Sequence, residues 1–308
     1  MNVLGICCSR KNGNTEIMMK EVFMAIEEKC DAECKMINLQ DAFIKSCIGC
    51  ETCMMNHLKG NFDFRCVHKN GSDHFYFIEQ LLREADAIIV SSPAYNLLPP
   101  GPIITFLNKM HASGDYRHVV HENHKIGAVF SIGGTDWTNF TLGTCKMIAM
   151  EFCGSYDSIV DAVHFDFMPS IGSVLLEDDV IARMHKLGKN VSEALLLKDK
   201  GEKMSYVGSQ GVCPDCHGNM LEVRKDGIYC PQCLTKANVA VENGKLKIEF
   251  TEEEIAKNRW KPWGQELHNN NIRKGHMKAS QNQYIIKENR KKYDDYNRKV
   301  IFPKLINE

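Results

Sequence analysis

Short apolar runs alternate with amphipathic stretches between residues 2 and 197. Residues 2–8 are apolar and rich in strand-forming side chains, and residues 16–29 carry apolar side chains at helical spacing. The same succession recurs further along the chain. It predicts strands at 35–39, 87–92, 126–132 and 159–165, and helices at 75–83, 103–110 and 177–197, with another that ends near residue 152.

This alternation predicts an α/β fold in which helices cover both faces of a parallel sheet. Five strands in this order are typical of a flavodoxin-like, doubly wound sheet. Ligands bind to such sheets beyond the carboxyl ends of the strands, where the strand order reverses. Loops 9–15, 93–102 and 133–139 each follow a predicted strand, so we expect them to meet at one end of the sheet.

The composition changes after residue 197, and we divide the chain there. Residues 1–197 form the predicted flavodoxin-like domain, residues 198–211 a polar linker with three glycines, and residues 212–250 a small metal module. Residues 251–308 are rich in Lys, Asn, Glu and Tyr and are predicted to form an extended C-terminal arm. Such an arm would wrap around the body or a neighbouring protomer, or form an aromatic lid over a partner's ligand.

Charge and hydropathy restrict the functional class. The 308 residues carry a formal net charge of −1, which argues against nucleic acid or an anionic membrane as partner. We find no apolar run long enough to span a membrane and no signal peptide, so we expect a cytoplasmic protein. The 14 cysteines should then be reduced, and eight of them have the spacing of metal ligands.

Two C-P-x-C motifs, at residues 213–216 and 230–233, are the strongest local signal in the chain. We call each of these motifs a knuckle. Each knuckle bends the backbone so that two thiolates face one ion, and the residues between the knuckles read as a hairpin. Four thiolates form a closed tetrahedral site that is typical of structural Zn²⁺. Iron, as in rubredoxin, is the alternative, but rubredoxins have glycine after each knuckle, where this chain has His217 and Leu234. The predicted ligands are Cys213, Cys216, Cys230 and Cys233.

A second cysteine set has C-x2-C-x2-C spacing with a distal cysteine, and comprises Cys47, Cys50, Cys53 and Cys66. Such spacing lets three thiolates converge on one face of a cubane while a fourth completes it, which predicts a [4Fe–4S] cluster. Residues 54–65 separate the last two cysteines and leave two alternatives open. His57 or His68 replaces the distal cysteine as a ligand, or the cysteines hold no cluster.

Loop 9–15 joins the first predicted strand to the first predicted helix. Backbone N–H groups at a helix start are unpaired and the helix dipole favours an anion there, so this loop can bind a phosphate. Gly13 lets the backbone come close, and Ser9, Asn14 and Thr15 can add hydrogen bonds. Neither the Rossmann fingerprint nor the P-loop motif is present. The alternative is a polar turn in which Asn14 or Thr15 only caps the helix.

These loops resemble those of the flavodoxin-like NAD(P)H-dependent FMN reductases. Loop 9–15 is similar to the FMN phosphate loop of that family, and residues 92–96 resemble its S-P-x-Y segment, which lies along the isoalloxazine ring. Residues 130–134 resemble its third flavin loop. With the cysteines at 47–53 added, the pattern resembles the iron–sulfur flavoproteins within that group, over residues 1–197.

The resemblance implies an FMN-dependent oxidoreductase that takes hydride from NAD(P)H. Electrons would pass to a small-molecule substrate, or through the [4Fe–4S] cluster to a redox-protein acceptor. It also implies a homo-oligomer, either a dimer or a tetramer. The sequence does not identify a catalytic acid or base. The residues expected to bind FMN are Ser9, Arg10, Asn12, Gly13, Asn14, Thr15, Pro93, Ala94, Tyr95, Asn96, Gly133 and Gly134.

Two other functional classes fit the same motifs. An electron-transfer flavoprotein would accept electrons from ferredoxin and act on no organic substrate. A regulatory or scaffold protein would instead use the metal module to bind partners. Nucleic-acid binding through that module and the mildly basic tail is a weak variant of this third hypothesis.

Overall fold

The residues up to 199 are organised around a five-stranded parallel sheet. The computed structural model describes residues 1–67 and 73–294. The strands of this sheet are β1 (Asn2–Cys7), β2 (Glu33–Asn38), β3 (Ala87–Pro93), β4 (Ile126–Ile132) and β5 (Ile159–Phe165). All its pairings are parallel, in the order β2–β1–β3–β4–β5. The prediction of a flavodoxin-like sheet is therefore confirmed.

The central strands read as continuous apolar runs because helices bury both of their faces. On β3, Ile88, Ile89 and Val90 are all fully buried. The register places Ile89 between Gly5 of β1 and Ala128 of β4. The strands therefore end at a common edge, and the loops that follow them emerge together.

Seven helices belong to the residues described up to 199. They are α1 (Asn14–Glu27), α2 (Thr52–Leu58), α3 (Phe75–Glu84), α4 (Gly101–Lys109), α5 (Gly114–Glu122), α6 (Thr141–Cys153) and α7 (Asp178–Asp199). The helices α1 and α7 cross closely at Gly188, where an added Cβ would lie 2.4 Å from the Val22 carbonyl oxygen. Elsewhere in the core, the rings of Phe75, Phe106 and Phe152 pack against one another.

The metal module contains a small antiparallel sheet. Its strands are β6 (Glu222–Arg224), β7 (Gly227–Tyr229), β8 (Lys236–Glu242) and β9 (Lys245–Glu249), paired in that order. The first two strands form the hairpin that the sequence predicts between the knuckles.

The predicted linker runs along the edge of the parallel sheet. The Val207 N–H donates to the Val160 carbonyl at 2.8 Å, and the Ser209 N–H donates to the Ala162 carbonyl at 2.9 Å. Because β5 is the last strand of the sheet, these bonds cover an edge that would otherwise present unpaired backbone groups.

The C-terminal arm forms helices over its described part. They are α8 (Glu252–Ala256), α9 (Pro262–Gln281) and α10 (Gln283–Lys291). The described residues of Met1–Ile255 form one compact unit, and those of Ala256–Glu308 form a second. Among the described residues, no helix has both the length and the apolar character needed to cross a bilayer. The division into domain, linker, module and arm stays a prediction.

Candidate functional site

The loop after β1 is held in place by Asn38. Its Oδ1 accepts from the Ser9 N–H at 3.1 Å, and its Nδ2 donates to the Ser9 carbonyl at 2.8 Å. Gly13 then turns the chain into α1, and a Cβ on this residue would lie only 2.8 Å from the Arg10 carbonyl oxygen. Glycine is therefore needed here for a close backbone approach.

The start of α1 offers backbone donors to an anion. The first intrahelical bond runs from the Ile17 N–H to the Gly13 carbonyl at 3.0 Å. The N–H groups of residues 14–16 therefore lie outside the helix's own ladder, at the positive end of its dipole. This geometry fits a phosphate group.

The side chain of Asn14 has a different role from the one expected. Its Nδ2 donates to the carbonyls of Met168 at 3.1 Å and Ser170 at 2.9 Å, so its N–H groups are already used. The residue ties the segment after β5 to α1, and of its groups only the backbone N–H can serve a phosphate. Its buried Oδ1 has no hydrogen-bond donor among the described residues.

A tight turn follows β3. The Tyr95 N–H donates to the Leu98 carbonyl at 2.8 Å, and the Leu98 N–H donates back at 3.3 Å. Between them, Asn96 and Leu97 have left-handed φ angles of 53° and 76°. This region is strained for a residue such as Leu97. The hydroxyl of Thr141, the first residue of α6, donates to the Leu97 carbonyl at 3.0 Å and holds the turn in place.

The loop after β4 is held in place by a series of contacts between polar side chains. The Thr138 hydroxyl donates to Asp166 Oδ1 at 2.9 Å, and His164 Nε2 lies 2.8 Å from the same oxygen. On its other side, His164 Nδ1 lies 2.7 Å from the Ser131 hydroxyl oxygen, so the imidazole bridges Ser131 and Asp166. Because Ser131 is fully buried, these contacts position the loop and offer no accessible nucleophile.

These loops meet around a cavity of about 240 Å³ at the carboxyl edge of the sheet. Of the twelve residues expected to bind FMN, only Asn12 and Asn96 do not line it. The Asn12 N–H donates to Glu16 Oε2 at 2.8 Å, and Asn96 forms the tip of its turn. The lining residues brought together here are Ser9, Arg10, Gly13, Asn14, Thr15, Pro93, Ala94, Tyr95, Gly133 and Gly134.

Sequence reasoning missed three lining residues, Ile132, Met168 and Pro169. The last two come from the segment that follows β5. One signal could have indicated them, because the carboxyl end of every parallel strand reaches the same edge, and β5 is no exception.

The four cysteines of the knuckles come together as predicted. Their Sγ atoms all lie within 4.8 Å of one another, and all four residues are buried. Within the part of the chain that the structure describes, no other group of His, Cys, Asp or Glu side chains is arranged for one ion. The residues after the knuckles, His217 and Leu234, have left-handed φ angles of 53° and 60°. They therefore adopt without glycine the conformation that glycine favours, and the sulfur set fits a tetrahedral ion.

The metal module packs on the beginning of α6. A Cβ on Gly143 would lie 2.4 Å from Gln232 Nε2, and Lys146 Nζ donates to the His217 carbonyl at 2.7 Å. The imidazole of His217 also stacks on Tyr206, with ring centroids 3.7 Å apart. Burial lowers the pKa of Lys146 to about 8, and the nearby cysteine thiols oppose that shift.

The cysteines predicted to bind a [4Fe–4S] cluster line a separate cavity of about 230 Å³. Cys47, Cys50, Cys53 and Cys66 all contribute to its wall, although they are not close enough together to hold one ion. Burial raises the pKa of Cys53, whereas hydrogen bonds from Thr52 lower the pKa of Cys50.

The two histidines considered as substitute ligands for this set are His57 and His68. His57 does not line the cavity, and His68 lies outside the described residues. Lys109 and His111 do line it. Lys109 is itself buried and paired with the carboxylate of Asp73.

Comparisons with known proteins agree with this geometry. Residues 1–142 match the family model of the NADPH-dependent FMN reductases. The flavone synthase cfoJ of Aspergillus candidus is 27% identical over 269 residues, which cover 78% of this chain and 79% of that protein. An iron–sulfur flavoprotein of Archaeoglobus fulgidus is 31% identical over 111 residues, 36% of this chain and 46% of that protein. A solved flavone reductase shares the fold, with a TM-score of 0.75 at 24% identity and full coverage of both chains.

The fold, the cavity and these matches define an oxidoreductase of the flavodoxin-like class. Residues 1–142, just under half of the chain, are similar to the NADPH-dependent FMN reductases, and this similarity supports FMN as the cofactor and a reduced nicotinamide as the electron source.

Proposed function

We propose that this protein uses NAD(P)H to reduce a planar, conjugated small molecule at an FMN bound in the 240 Å³ cavity. One observation carries the proposal: the phosphate-binding start of α1 and the loops after β3 and β4 line the same cavity. FMN, when bound, accepts hydride from the nicotinamide and passes electrons onward.

The chain's own residues have separable roles in this proposal. The N–H groups of residues 14–16, the Thr15 hydroxyl and Arg10 bind the phosphate. The glycines at 133 and 134 let the loop after β4 line the cavity, because a Cβ would lie 2.1 Å from Thr138 Cγ2 at Gly133 and 3.3 Å from Pro169 Cα at Gly134. The turn at Tyr95, held by Thr141, also lines the cavity.

Exposed aromatic side chains on the cavity loops favour a planar substrate. Tyr95, Trp137 and Phe167 are 44%, 66% and 71% exposed. Phe167 also has a left-handed φ of 64°, an unusual conformation for a bulky residue, immediately before the lining residue Met168. Aromatic faces stack on flat conjugated rings. The names of the relatives, a flavone synthase and a flavone reductase, point to the same class of compound.

Titration of the apoprotein with FMN tests the placement of the phosphate. A hydrogen bond to a charged group contributes about 1.5–3 kcal/mol, so Thr15→Ala should weaken FMN binding by roughly tenfold or more. Thr144→Ala is the matched control, because the Thr144 hydroxyl bonds to the Phe140 carbonyl within its own helix. Equal affinity in the two variants would show that the phosphate lies elsewhere.

We also propose a [4Fe–4S] cluster on Cys47, Cys50, Cys53 and Cys66, through which electrons reach a redox-protein acceptor. The supporting observation is that all four cysteines line one cavity, although residues 54–65 intervene before the last of them. The ligands of a cubane bind separate irons, so their sulfurs stand further apart than those around one ion. The knuckle cysteines would hold Zn²⁺, because their site is closed and buried.

Anaerobic purification with iron, sulfide, zinc and flavin analysis tests the cluster. We expect about four irons and matching sulfide per chain, with a broad visible shoulder beside the flavin bands. Cys66→Ser should lose that shoulder, whereas Cys34→Ser, in a residue of β2 away from both cysteine sets, should keep it. Flavin and zinc without sulfide would overturn the cluster and leave the FMN site intact.

Steady-state assays separate the reductase from an electron carrier. Rapid NAD(P)H oxidation with a flavone or quinone acceptor supports the reductase, and reduction by ferredoxin alone supports the carrier. We also propose that the protein forms a homo-oligomer, on the basis of the family resemblance. A cytoplasmic location is a further proposal, which rests on the unpaired state of the cysteines.

A further inference from the structure

Lys146 is a buried cation without a carboxylate partner in the described part of the chain. Its side chain is 3% exposed, and its Nζ donates to the backbone carbonyl of His217 at 2.7 Å. A carbonyl oxygen satisfies one N–H but supplies no countercharge. Buried lysines are rare unless a negative charge compensates them.

The four-cysteine site lies next to this cation, because the His217 carbonyl that accepts from Lys146 directly follows the predicted ligand Cys216 in the chain. A divalent ion does not neutralise four thiolates, so the loaded site has a net negative charge. Cys216, Cys213 and Cys230 are the acidic groups that act electrostatically on Lys146. Removal of the ion takes away the charged metal–thiolate unit and frees the knuckle that holds the His217 carbonyl against Lys146 Nζ.

We propose that Lys146 is the countercharge of the metal–thiolate site and that the metal module docks on α6 in its metal-loaded form. Docking buries the cation against the site, and Gln232 packs on Gly143 one turn away. Metal binding and docking therefore form one linked equilibrium. Lys146 acts here as a positioning residue that lies outside the ligand set.

This docking extends to the cavity at the sheet edge. The same helix begins at Thr141, whose hydroxyl holds the Leu97 carbonyl and with it the Tyr95 turn. Loading of the metal module should therefore stabilise one wall of the cavity. This last step rests on the proposed FMN function, whereas the role of Lys146 in metal binding does not.

Zn²⁺ affinity, measured on the whole chain by competition with a chromogenic chelator, tests the proposal. Loss of a group that supports a metal site typically costs 10–100-fold in affinity, and we expect a loss of that size for Lys146→Met. Lys146→Arg should restore most of it. Lys125→Met is the matched control, because Lys125 Nζ donates to the backbone carbonyls of Arg83 and Ala85. Wild-type affinity in Lys146→Met would overturn the proposal.

Hydrogen exchange of the wild-type protein provides a second test that requires no variant. Removal of the metal by the chelator should speed exchange in the knuckles and also in the first two turns of α6, while α1 and α7 remain protected. Faster exchange confined to the knuckles would contradict docking through the metal.

FMN titrations separate this proposal from the FMN function. We expect Lys146→Met to weaken FMN binding and Thr15→Ala to leave Zn²⁺ affinity unchanged. If Thr15→Ala has no effect on FMN while Lys146→Met loses zinc, the FMN placement fails and the docking proposal stands.

Discussion

At the scale of single residues, the shape of the candidate sites depends more on backbone conformation than on side-chain chemistry. Gly13 and Gly133 are required because another atom occupies the space of a Cβ. By contrast, His217 and Leu234 hold left-handed angles without being glycine, because each knuckle closes a backbone bond to the first cysteine of its pair, Cys213 or Cys230. The chain therefore has glycine where there is no space for a Cβ, and it accepts strain where a cysteine knuckle imposes it.

Gly133→Ala should destabilise the protein and weaken FMN binding. The new Cβ would lie 2.1 Å from Thr138 Cγ2 and 2.8 Å from the Thr135 carbonyl oxygen, so the loop after β4 must move. Overpacking of this kind costs about 1–3 kcal/mol in the free energy of unfolding. Gly101→Ala is the control, because nothing lies within 4 Å of its Cβ position. Urea denaturation that gives equal stability for the two variants would contradict this account.

At the scale of elements, α7 is attached in different ways to α1 and to β5. The α1–α7 pair packs through apolar side chains and the close approach at Gly188. Between α7 and β5, a buried ion pair accompanies the apolar packing, and in this pair the fully buried Asp161 faces Arg183. Its carboxylate accepts from Arg183 at 2.9 and 2.5 Å and from Asn190 Nδ2 at 2.8 Å. The carboxylate is therefore satisfied only while α7 keeps its register on β5.

Arg183→Met should be strongly destabilising. It leaves the buried Asp161 carboxylate with one hydrogen-bond donor, and removal of one partner from a buried ion pair costs about 3–5 kcal/mol. Arg224→Met should change the free energy of unfolding little, because its pair with Glu222 is exposed to solvent. Denaturant titrations of both variants provide the measurement, and similar midpoints would show that the Asp161 pair does not hold α7.

At the scale of the whole molecule, the metal module is part of the body rather than an appendage. Residues Met1–Ile255 form one compact unit, which includes the parallel sheet, the segment along β5 and the module. The segment at 206–209 bonds to β5 and also carries Tyr206, which stacks on the first knuckle. Sheet edge, α6 and knuckles are therefore connected by direct contacts within one unit.

The sequence by itself determined the elements with a strong local pattern. Continuous apolar runs indicated the buried strands β3 and β4, because both faces of a parallel sheet are covered there, whereas β2 at the edge is only half-buried. The knuckles indicated the four-cysteine site, because two short loops of fixed geometry bring the thiolates together. Weak patterns were missed: α2 and α5 are short, and β8 and β9 carry mostly exposed side chains, so no period stands out.

The tertiary structure alone decided which surfaces meet. Nothing near Asn14 in the sequence shows that its amide will bind the carbonyls of residues 168 and 170, and nothing near Lys146 shows that a knuckle will cover it. Local periodicity indicates which side of a helix or strand is buried. The element against which that side packs depends on contacts between residues far apart in the chain. The cavity wall from Met168 and Pro169 and the docking of the module on α6 follow from such contacts.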